Sequence, residues 1–185
     1  MPETGEVSDH QLVASFKVEL QRDFSFTRIV SRYQERLYWH IRRMVVEHED
    51  TNDILQNVFI KVWKNLDGFR EESNLYTWMY RIATNETLTW IEQKKRRSSV
   101  SLTGAEDFFS ERLVAQKGYD ANKIEWKLQK AMQSLPEKQK LVFNLRYYDE
   151  MPYEEMAGML GTSVGALKAS YHHAVKKVEE FLKEK

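Results

Sequence analysis

Apolar residues recur with helical spacing along almost the whole chain, and this pattern fails in one place, between Ser98 and Ala121. Side chains three or four positions apart share one face of an α-helix, so the repeat predicts amphipathic helices that bury that face. The interrupted stretch instead carries Ser, Thr, Gly and Asp with scattered apolar residues, which is typical of a connecting segment. The sequence therefore predicts an all-α protein of two small helical domains joined by a flexible linker, with residues 1–97, 98–121 and 122–185 as first domain, linker and second domain.

Local conformational preferences agree with this periodicity. The 185 residues include only seven glycines and three prolines, which are the residues that most disfavour a helix interior. Capping residues and the limits of the apolar repeat place the expected helices of the first domain at Asp9 to Gln21, Ser25 to Glu47, Thr51 to Leu66 and Asn74 to Arg96. Those of the second domain are expected at Lys123 to Ser134, Pro136 to Tyr148, Pro152 to Leu160 and Ser163 to Lys183.

The composition excludes several kinds of chemical site. The chain has no cysteine, which excludes disulfides, thiolate metal ligands and a cysteine nucleophile. Its five histidines show no metal-ligand spacing, and adjacent His172 and His173 cannot point to one ion from one helix face. No glycine-rich phosphate loop is present, and the carboxylates are interpreted as solvated helix charge. We therefore expect a protein that is not an enzyme and that has no cofactor and no metal site.

The N-terminal residues and the hydropathy bear on location. Met1 to Glu6 are polar and partly acidic, without the basic and apolar regions of a secretion signal. No apolar run approaches the length that spans a membrane, so no membrane insertion is expected. These features predict a cytoplasmic protein.

The charge balance limits how the chain can bind nucleic acid. Its 28 basic residues are matched by 28 acidic ones, which is unusual for a protein that holds DNA alone by neutralising phosphates. Any binding to nucleic acid must therefore rest on local basic patches, or be shared with a partner.

The segment from Tyr153 to Lys168 has the pattern of a helix-turn-helix. A first helix turns Met156, Ala157 and Leu160 inward, and Gly161 supplies the tight turn that follows. A second helix, capped by Ser163, has a stripe of apolar residues at Leu167, Tyr171, Ala174 and Val178.

The other face of this second helix indicates recognition of duplex DNA. The start of such a helix meets phosphates and base edges in the major groove, and here the face comprises Ser163, Lys168, Ala169, His172, His173 and Lys176. The alternative is a plain helical hairpin with a solvated basic face, because the face carries no arginine.

A second candidate surface lies on the helix from Thr51 to Leu66. Its wide apolar stripe comprises Ile54, Leu55, Val58, Phe59, Val62, Trp63 and Leu66, whereas the opposite side carries Asp53, Gln56, Asn57, Ile60 and Lys64. An apolar residue within a polar rim is typical of a docking surface for a partner. A single exposed apolar residue is also common on surfaces without any partner, so periodicity leaves both interpretations open.

A third candidate surface follows, on the loop from Asp67 to Asn74 and the next helix. Aromatic residues, Asn and a basic helix end lie together there, a combination that holds single-stranded DNA by stacking and by pairing with phosphates. The candidate residues are Phe69, Asn74, Tyr76, Trp78, Arg81, Asn85, Lys94, Lys95, Arg96 and Arg97. Alternatively, Trp78 and Ile82 belong to the core, and Lys94 to Arg97 form a solvated helix end favoured by the helix dipole.

Taken together, these residues resemble the extracytoplasmic-function (ECF) sigma factors of the sigma-70 family. The first domain matches their region two through Asp53, Gln56 and Phe59 and through the run from Thr77 to Asn85. The second domain matches region four through the run from Leu135 to Gln139 and through Glu154 to Ala157. The likeness spans roughly Ser25 to Leu182, which is far more specific than a single helix-turn-helix.

The resemblance implies how each surface is used. The face with Asp53, Gln56, Asn57 and Ile60 would dock on the clamp helices of core RNA polymerase, and the segment after Asp67 would capture flipped bases of the melted minus-ten element. The second domain would read the minus-thirty-five element as duplex. An anti-sigma factor is a further partner that the resemblance implies.

Some positions depart from the family pattern. Asn57 stands where Glu is common, Thr162 where an apolar residue often packs the turn, and Ser170 and His173 where Arg is frequent. The run from Ala166 to Ala174 looks like the variant of Bacteroidetes-type bacteria. The competing interpretation is a stand-alone helix-turn-helix regulator, although the first half lacks the alternating strands and helices of a receiver domain.

Overall fold

The computed structural model describes residues 7–98 and 124–183, and these residues form no strand. The α-helices of the first domain are α1 (Asp9–Phe16), α2 (Arg22–Val45), α3 (His48–Asn65) and α4 (Leu75–Ser98). Those of the second domain are α5 (Ile124–Gln133), α6 (Glu137–Phe143), α7 (Tyr153–Leu160) and α8 (Val164–Lys183). The all-α fold with two helical domains is confirmed, and the predicted linker, apart from Ser98, lies outside the described residues.

The first helix is shorter than the periodicity predicts. A single helix from Asp9 to Gln21 was expected, but α1 ends at Phe16 and a 3₁₀ turn at Glu19–Gln21 leads directly into α2. Arg22 explains the break, because its Nε donates to the carbonyl oxygen of Phe16 at 3.2 Å and satisfies a C-terminal acceptor of α1. The expected start of α2 at Ser25 was therefore three residues too late.

The core of the first domain is formed by the apolar stripes of α2, α3 and α4. Its fully buried residues include Ile29, Leu37, Ile41, Ile54, Val58, Val62, Met79 and Ala83. Phe16 of α1 closes one end, with its ring edge-on to Trp63 at a centroid distance of 5.1 Å. The predicted stripe of α3 is thus the side that faces the core, which leaves the opposite side outward.

The second domain contains the predicted helix-turn-helix. Helix α7 ends at Gly161, whose φ of 63° lies in the left-handed region that glycine adopts without a steric penalty. Helix α8 buries Leu167, Ala174 and Val178, as the apolar stripe predicts. The expected continuous helix from Pro136 to Tyr148 has a different ending, because α6 passes at Asn144 into a π-helical turn.

The two domains lie against each other and share one hydrophobic core. Leu145, Met151 and Met156 of the second domain are at most 1% exposed and belong to the same buried cluster as the core of α2, α3 and α4. A smaller cluster around Met132 and Phe143 belongs to the second domain. Periodicity along the sequence did not predict this packing, since it shows which face of a helix is buried but not what covers it. None of the helices described here is long and apolar enough to cross a membrane.

Candidate functional site

The outward face of α8 is open to solvent. All six residues predicted to read duplex DNA are exposed, namely Ser163, Lys168, Ala169, His172, His173 and Lys176. Ser163 also acts as the predicted cap, because its Oγ accepts a hydrogen bond from the backbone N–H of Ala166 at 3.2 Å. The helix therefore presents its polar face and its N-terminal end outward, as a reading helix in a major groove must.

Arg146 is a further cation near this helix that the sequence analysis did not identify. The guanidinium carbon of Arg146 lies 5.1 Å from the centre of the Tyr153 ring, and Lys168 Nζ lies 5.7 Å from the same centre. Arg146 also donates to the backbone oxygen of Met151 at 3.2 Å. The structure thus supplies an arginine close to a face on which the sequence places none, and only the fold brings it there.

The candidate docking face of α3 lies on the outside of the first domain. Asp53, Gln56, Asn57 and Ile60 are all exposed, and Ile60 retains 45% exposure. Because the opposite side of α3 is buried, the orientation of this face is determined by the core. The structure therefore provides an apolar side chain surrounded by polar ones on a rigid helix.

The loop before α4 and the first turns of α4 border a cavity of about 750 Å³. Among the candidate minus-ten residues, Asn74, Tyr76 and Arg81 line it, together with Phe69. The opposite wall comes from α1 and from α7 of the second domain. The cavity is therefore lined by candidate single-strand-binding residues and by residues of both domains.

The aromatic candidates are buried or half-buried. Phe69 is only 7% exposed, and its ring centre lies 5.0 Å from that of the half-buried Trp78. The core interpretation of Trp78 is therefore favoured in this structure, and the Phe69 ring is not available to stack on a base. Tyr76 is half-buried, and the centres of the Tyr76 and Tyr80 rings are 4.3 Å apart. The Arg36 guanidinium lies 4.7 Å from the centre of the Tyr76 ring.

The basic end of α4 is less uniform than its sequence indicates. Lys94 Nζ lies 2.9 Å from carboxylate oxygens of both Glu47 and Asp50, and 4.4 Å from the centre of the Trp90 ring. This lysine is therefore engaged in packing α4 on α3. Lys95 forms an ion pair with Glu137 of the second domain, while Asn85, Arg96 and Arg97 are exposed.

A buried polar network joins the two domains, and sequence reasoning did not identify it. His40 of α2 is fully buried, with Nδ1 3.0 Å from Asp149 Oδ2 and Nε2 3.1 Å from Thr84 Oγ1. Asn144, also fully buried, donates its amide N–H to the backbone oxygen of His40 at 2.9 Å. One signal was available, because His40 falls on the apolar side of α2 between Leu37 and Ile41, where a buried histidine requires polar partners.

Asp149 is the centre of this network. Its side chain is 6% exposed and accepts hydrogen bonds from Arg43 at 3.4 Å and from the Tyr80 hydroxyl at 3.3 Å. Burial raises the pKa of Tyr80, and the nearby Asp149 carboxylate raises it further. Tyr80 therefore remains a neutral donor, and Asp149 has donors on several sides.

Comparison with known proteins agrees with the arrangement of these surfaces. Residues 29–97 match the family described as Sigma-70 region 2, and residues 125–178 match Sigma-70, region 4. The RNA polymerase sigma-H factor of Pseudomonas aeruginosa is 30% identical over 182 aligned positions, which cover 94% of this chain and 93% of that protein. The ECF RNA polymerase sigma-E factor of Escherichia coli is 29% identical, with 94% of each protein covered.

Solved structures share the fold. The sigma factor RpoE of Bartonella quintana, in complex with the anti-sigma factor NepR, superposes with a TM-score of 0.70 at 21% identity, covering 86% of this chain and 97% of that one. CnrH, in complex with the cytosolic domain of CnrY, gives a TM-score of 0.67 at 22% identity, covering 94% and 96%. Two sigma-70 regions in the expected order, each on its own helical domain, show that the chain belongs to the sigma-70 family, among its ECF sigma factors.

Proposed function

We propose that this sigma factor binds core RNA polymerase in the cytoplasm and directs it to promoters by contacting both promoter elements, without catalysing a reaction itself. The observation that carries the proposal is the match of both sigma-70 regions to two domains, with the candidate docking face of α3 and the candidate reading face of α8 open to solvent. The neutral net charge is consistent with this role, because the polymerase supplies much of the grip on DNA phosphates.

The outer face of α3 is the proposed polymerase-binding surface. Asp53, Gln56 and Asn57 offer charge and hydrogen-bonding groups around Ile60, and interfaces are built from such an apolar anchor with a polar rim. The helix is held by a buried stripe on its other side, so little conformational entropy is lost on docking.

The cavity before α4 is the proposed site for bases of the melted minus-ten strand. Asn74 offers donors and acceptors to a base edge, Tyr76 a ring for stacking, and Arg81 a cation for a phosphate. Asn85, Lys95, Arg96 and Arg97 would extend this surface along the strand, while Phe69, Trp78 and Lys94 would hold the supporting structure. We therefore propose a supporting part for these last three residues, in place of the contact with DNA that the sequence predicts.

The outer face of α8 is the proposed reader of the minus-thirty-five duplex. Lys168 and Lys176 supply phosphate contacts, and His172 and His173 supply hydrogen bonds at the level of the bases. Arg146, which like Lys168 lies near the Tyr153 ring, adds a cation near the start of this helix. A stand-alone regulator would need none of the region-two surfaces, so that alternative is not favoured.

An anti-sigma factor is the proposed regulatory partner. The first of the two similar solved structures contains a sigma factor in complex with an anti-sigma factor, and the second contains CnrH in complex with the cytosolic domain of CnrY. By analogy, we expect a partner that contacts both domains of this chain and withholds it from the polymerase.

The polymerase-binding surface is tested by removing its polar groups. The double substitution Asp53→Ala and Gln56→Ala should weaken binding to core polymerase by about tenfold or more, the size of effect expected at the centre of an interface. The matched control is Glu92→Ala with Gln93→Ala, which removes the same kinds of groups from exposed positions of α4. Affinity is measured by fluorescence anisotropy of the labelled sigma factor, and circular dichroism verifies folding. Equal affinities for the test and control variants would exclude this face as the docking surface.

A further inference from the structure

Helix α7 of the second domain lies across the beginning of α4, where the proposed minus-ten residues are located. The hydroxyl of Thr77 donates to Glu155 Oε2 at 2.8 Å, and Arg81 Nη2 donates to the backbone oxygen of Gly158 at 2.8 Å. The Tyr76 hydroxyl lies 3.4 Å from the backbone oxygen of Asp149. Three polar side chains in the first two turns of α4 are therefore directed to the second domain.

This contact occupies groups that the melted strand would need. The guanidinium of Arg81 is hydrogen-bonded to a protein carbonyl, and the hydroxyl of Tyr76 is directed to another. Glu155 also adds a carboxylate to a cavity that is already lined by Asp9, Glu71 and Glu72. The carboxylate that Glu155 adds repels DNA phosphates, so the closed arrangement opposes strand binding sterically and electrostatically.

The network around Asp149 stabilises this arrangement. Its carboxylate is buried between His40, Arg43 and Tyr80 of the first domain. A buried carboxylate is tolerated only where donors surround it, and most of these donors come from the other domain. The apolar side chains of Leu145 and Met151 complete the contact, since they share the core of the first domain.

The duplex-reading face of α8, by contrast, is not covered by the first domain. Lys168, His172 and Lys176 are exposed in the same arrangement. Closure therefore covers one DNA-binding surface and leaves the other accessible.

We propose that the free chain rests in this closed state, in which its second domain covers the minus-ten surface, and that Asp149 and Glu155 form the latch. The inference rests on the proposed function and adds its regulation: the strand-binding surface becomes available only when the domains separate, for instance on docking to the polymerase. Apparent affinity for single-stranded DNA is then the intrinsic affinity reduced by the open fraction.

A variant that weakens the latch tests the proposal. Asp149→Asn with Glu155→Gln removes both carboxylates and retains side-chain size. The control Glu150→Gln with Glu154→Gln makes the same charge change at adjacent exposed positions. The probe is a fluorescein-labelled single-stranded oligonucleotide of mixed sequence, with the same strand annealed to its complement as the duplex probe. Relative to the control, the latch variant should bind the single strand about tenfold more tightly, as expected if the open state is a minor population, and the duplex equally well.

A distance measurement keeps the test independent of DNA. The chain has no cysteine, so spin labels can be placed at Gln34→Cys and Lys177→Cys, which are exposed on α2 and α8. Closure predicts one narrow distance distribution in the otherwise unchanged chain and in the control, and a broader and longer one in the latch variant. Circular dichroism of each variant shows whether the helices are retained.

The outcomes separate the two proposals. Equal single-strand affinities, or a broad distance distribution before the latch is changed, would overturn the closed state, while transcription by the reconstituted holoenzyme would leave the sigma function intact. If the unchanged chain supports no promoter-specific transcription with core polymerase, the proposed function and the inference that depends on it both fail.

Discussion

Lys140 offers a quantitative test of how the second domain is packed. It is 9% exposed, and its Nζ donates to Gln133 Oε1 at 2.6 Å. Burial lowers the pKa of this ammonium group from its ordinary value of 10.5 to about 8, against the opposing effect of Glu137. A depression of this size corresponds to roughly 3 kcal/mol by which the charged form is disfavoured in the folded protein.

The sign of the pH dependence follows from the two states. Below pH 8 the folded and unfolded chains both hold the proton, so folding bears the full cost of burying the charge. Between about pH 8 and pH 10 the folded chain releases the proton first, and the free energy of unfolding rises with pH. The rise in stability with pH ends near pH 10. Burial raises the pKa values of Tyr33 and Tyr80 in the folded chain, so above that pH these tyrosines ionise first in the unfolded chain, which favours unfolding.

Replacing the lysine by an apolar side chain of similar length removes this cost. Lys140→Met should be more stable than the unchanged chain at pH 7 by about 2 kcal/mol, after about 1 kcal/mol is subtracted for the lost hydrogen bond. In a chain of this size that gain raises Tm by roughly 4 to 8 °C.

Thermal unfolding followed by circular dichroism at a series of pH values provides the assay. The variant should also lose the rise in stability above pH 8. Lys138→Met, an exposed position on the same helix, is the control and should leave both Tm and its pH dependence unchanged. A lower Tm of Lys140→Met at pH 7, or an undiminished rise between pH 8 and pH 9.5, would show that burial of the Lys140 ammonium group does not destabilise the fold.

Two further predictions concern the first-domain core and the duplex-reading helix. Phe16→Ala removes a fully buried ring and should lower the free energy of unfolding by about 3 to 5 kcal/mol in urea titrations, whereas Leu20→Ala, at 98% exposure, should change it by less than about 0.5 kcal/mol. Similar losses in both variants would show that α1 does not close the core. Lys168→Ala should weaken holoenzyme binding to an upstream duplex and reduce the salt dependence of log K by about one. Lys177→Ala, also exposed on α8, is the control, and an unchanged salt slope for Lys168→Ala would argue against a phosphate contact.

Periodicity predicted the features that depend on one helix at a time. The stripe of α3 packs on the core as expected, which places Asp53, Gln56 and Ile60 outside. The left-handed Gly161 makes the turn between α7 and α8. Such features follow from side-chain spacing and backbone sterics, both of which are local. Spacing alone did not decide whether the exposed face of α3 binds a partner or is an ordinary surface. The resemblance to a known family supplied that function.

Features that depend on distant residues were not predictable in this way. Lys94 of α4 pairs with Glu47 and Asp50, which lie 47 and 44 positions earlier in the chain. Asn144 meets His40 across 104 positions of sequence. Helical periodicity predicts that a residue is buried, but not which residue it contacts. Only the structure therefore shows the contact between the domains.

Reconstitution with sigma-free core RNA polymerase shows whether this chain directs initiation at promoters. The purified chain is added to the core enzyme on genomic promoter fragments, and the 5′ ends of the transcripts are mapped. We expect RNA chains that start at defined positions, and fewer of them with the Asp53→Ala and Gln56→Ala variant when the sigma factor is limiting. Transcripts that start at the same scattered positions with and without the chain would contradict the account.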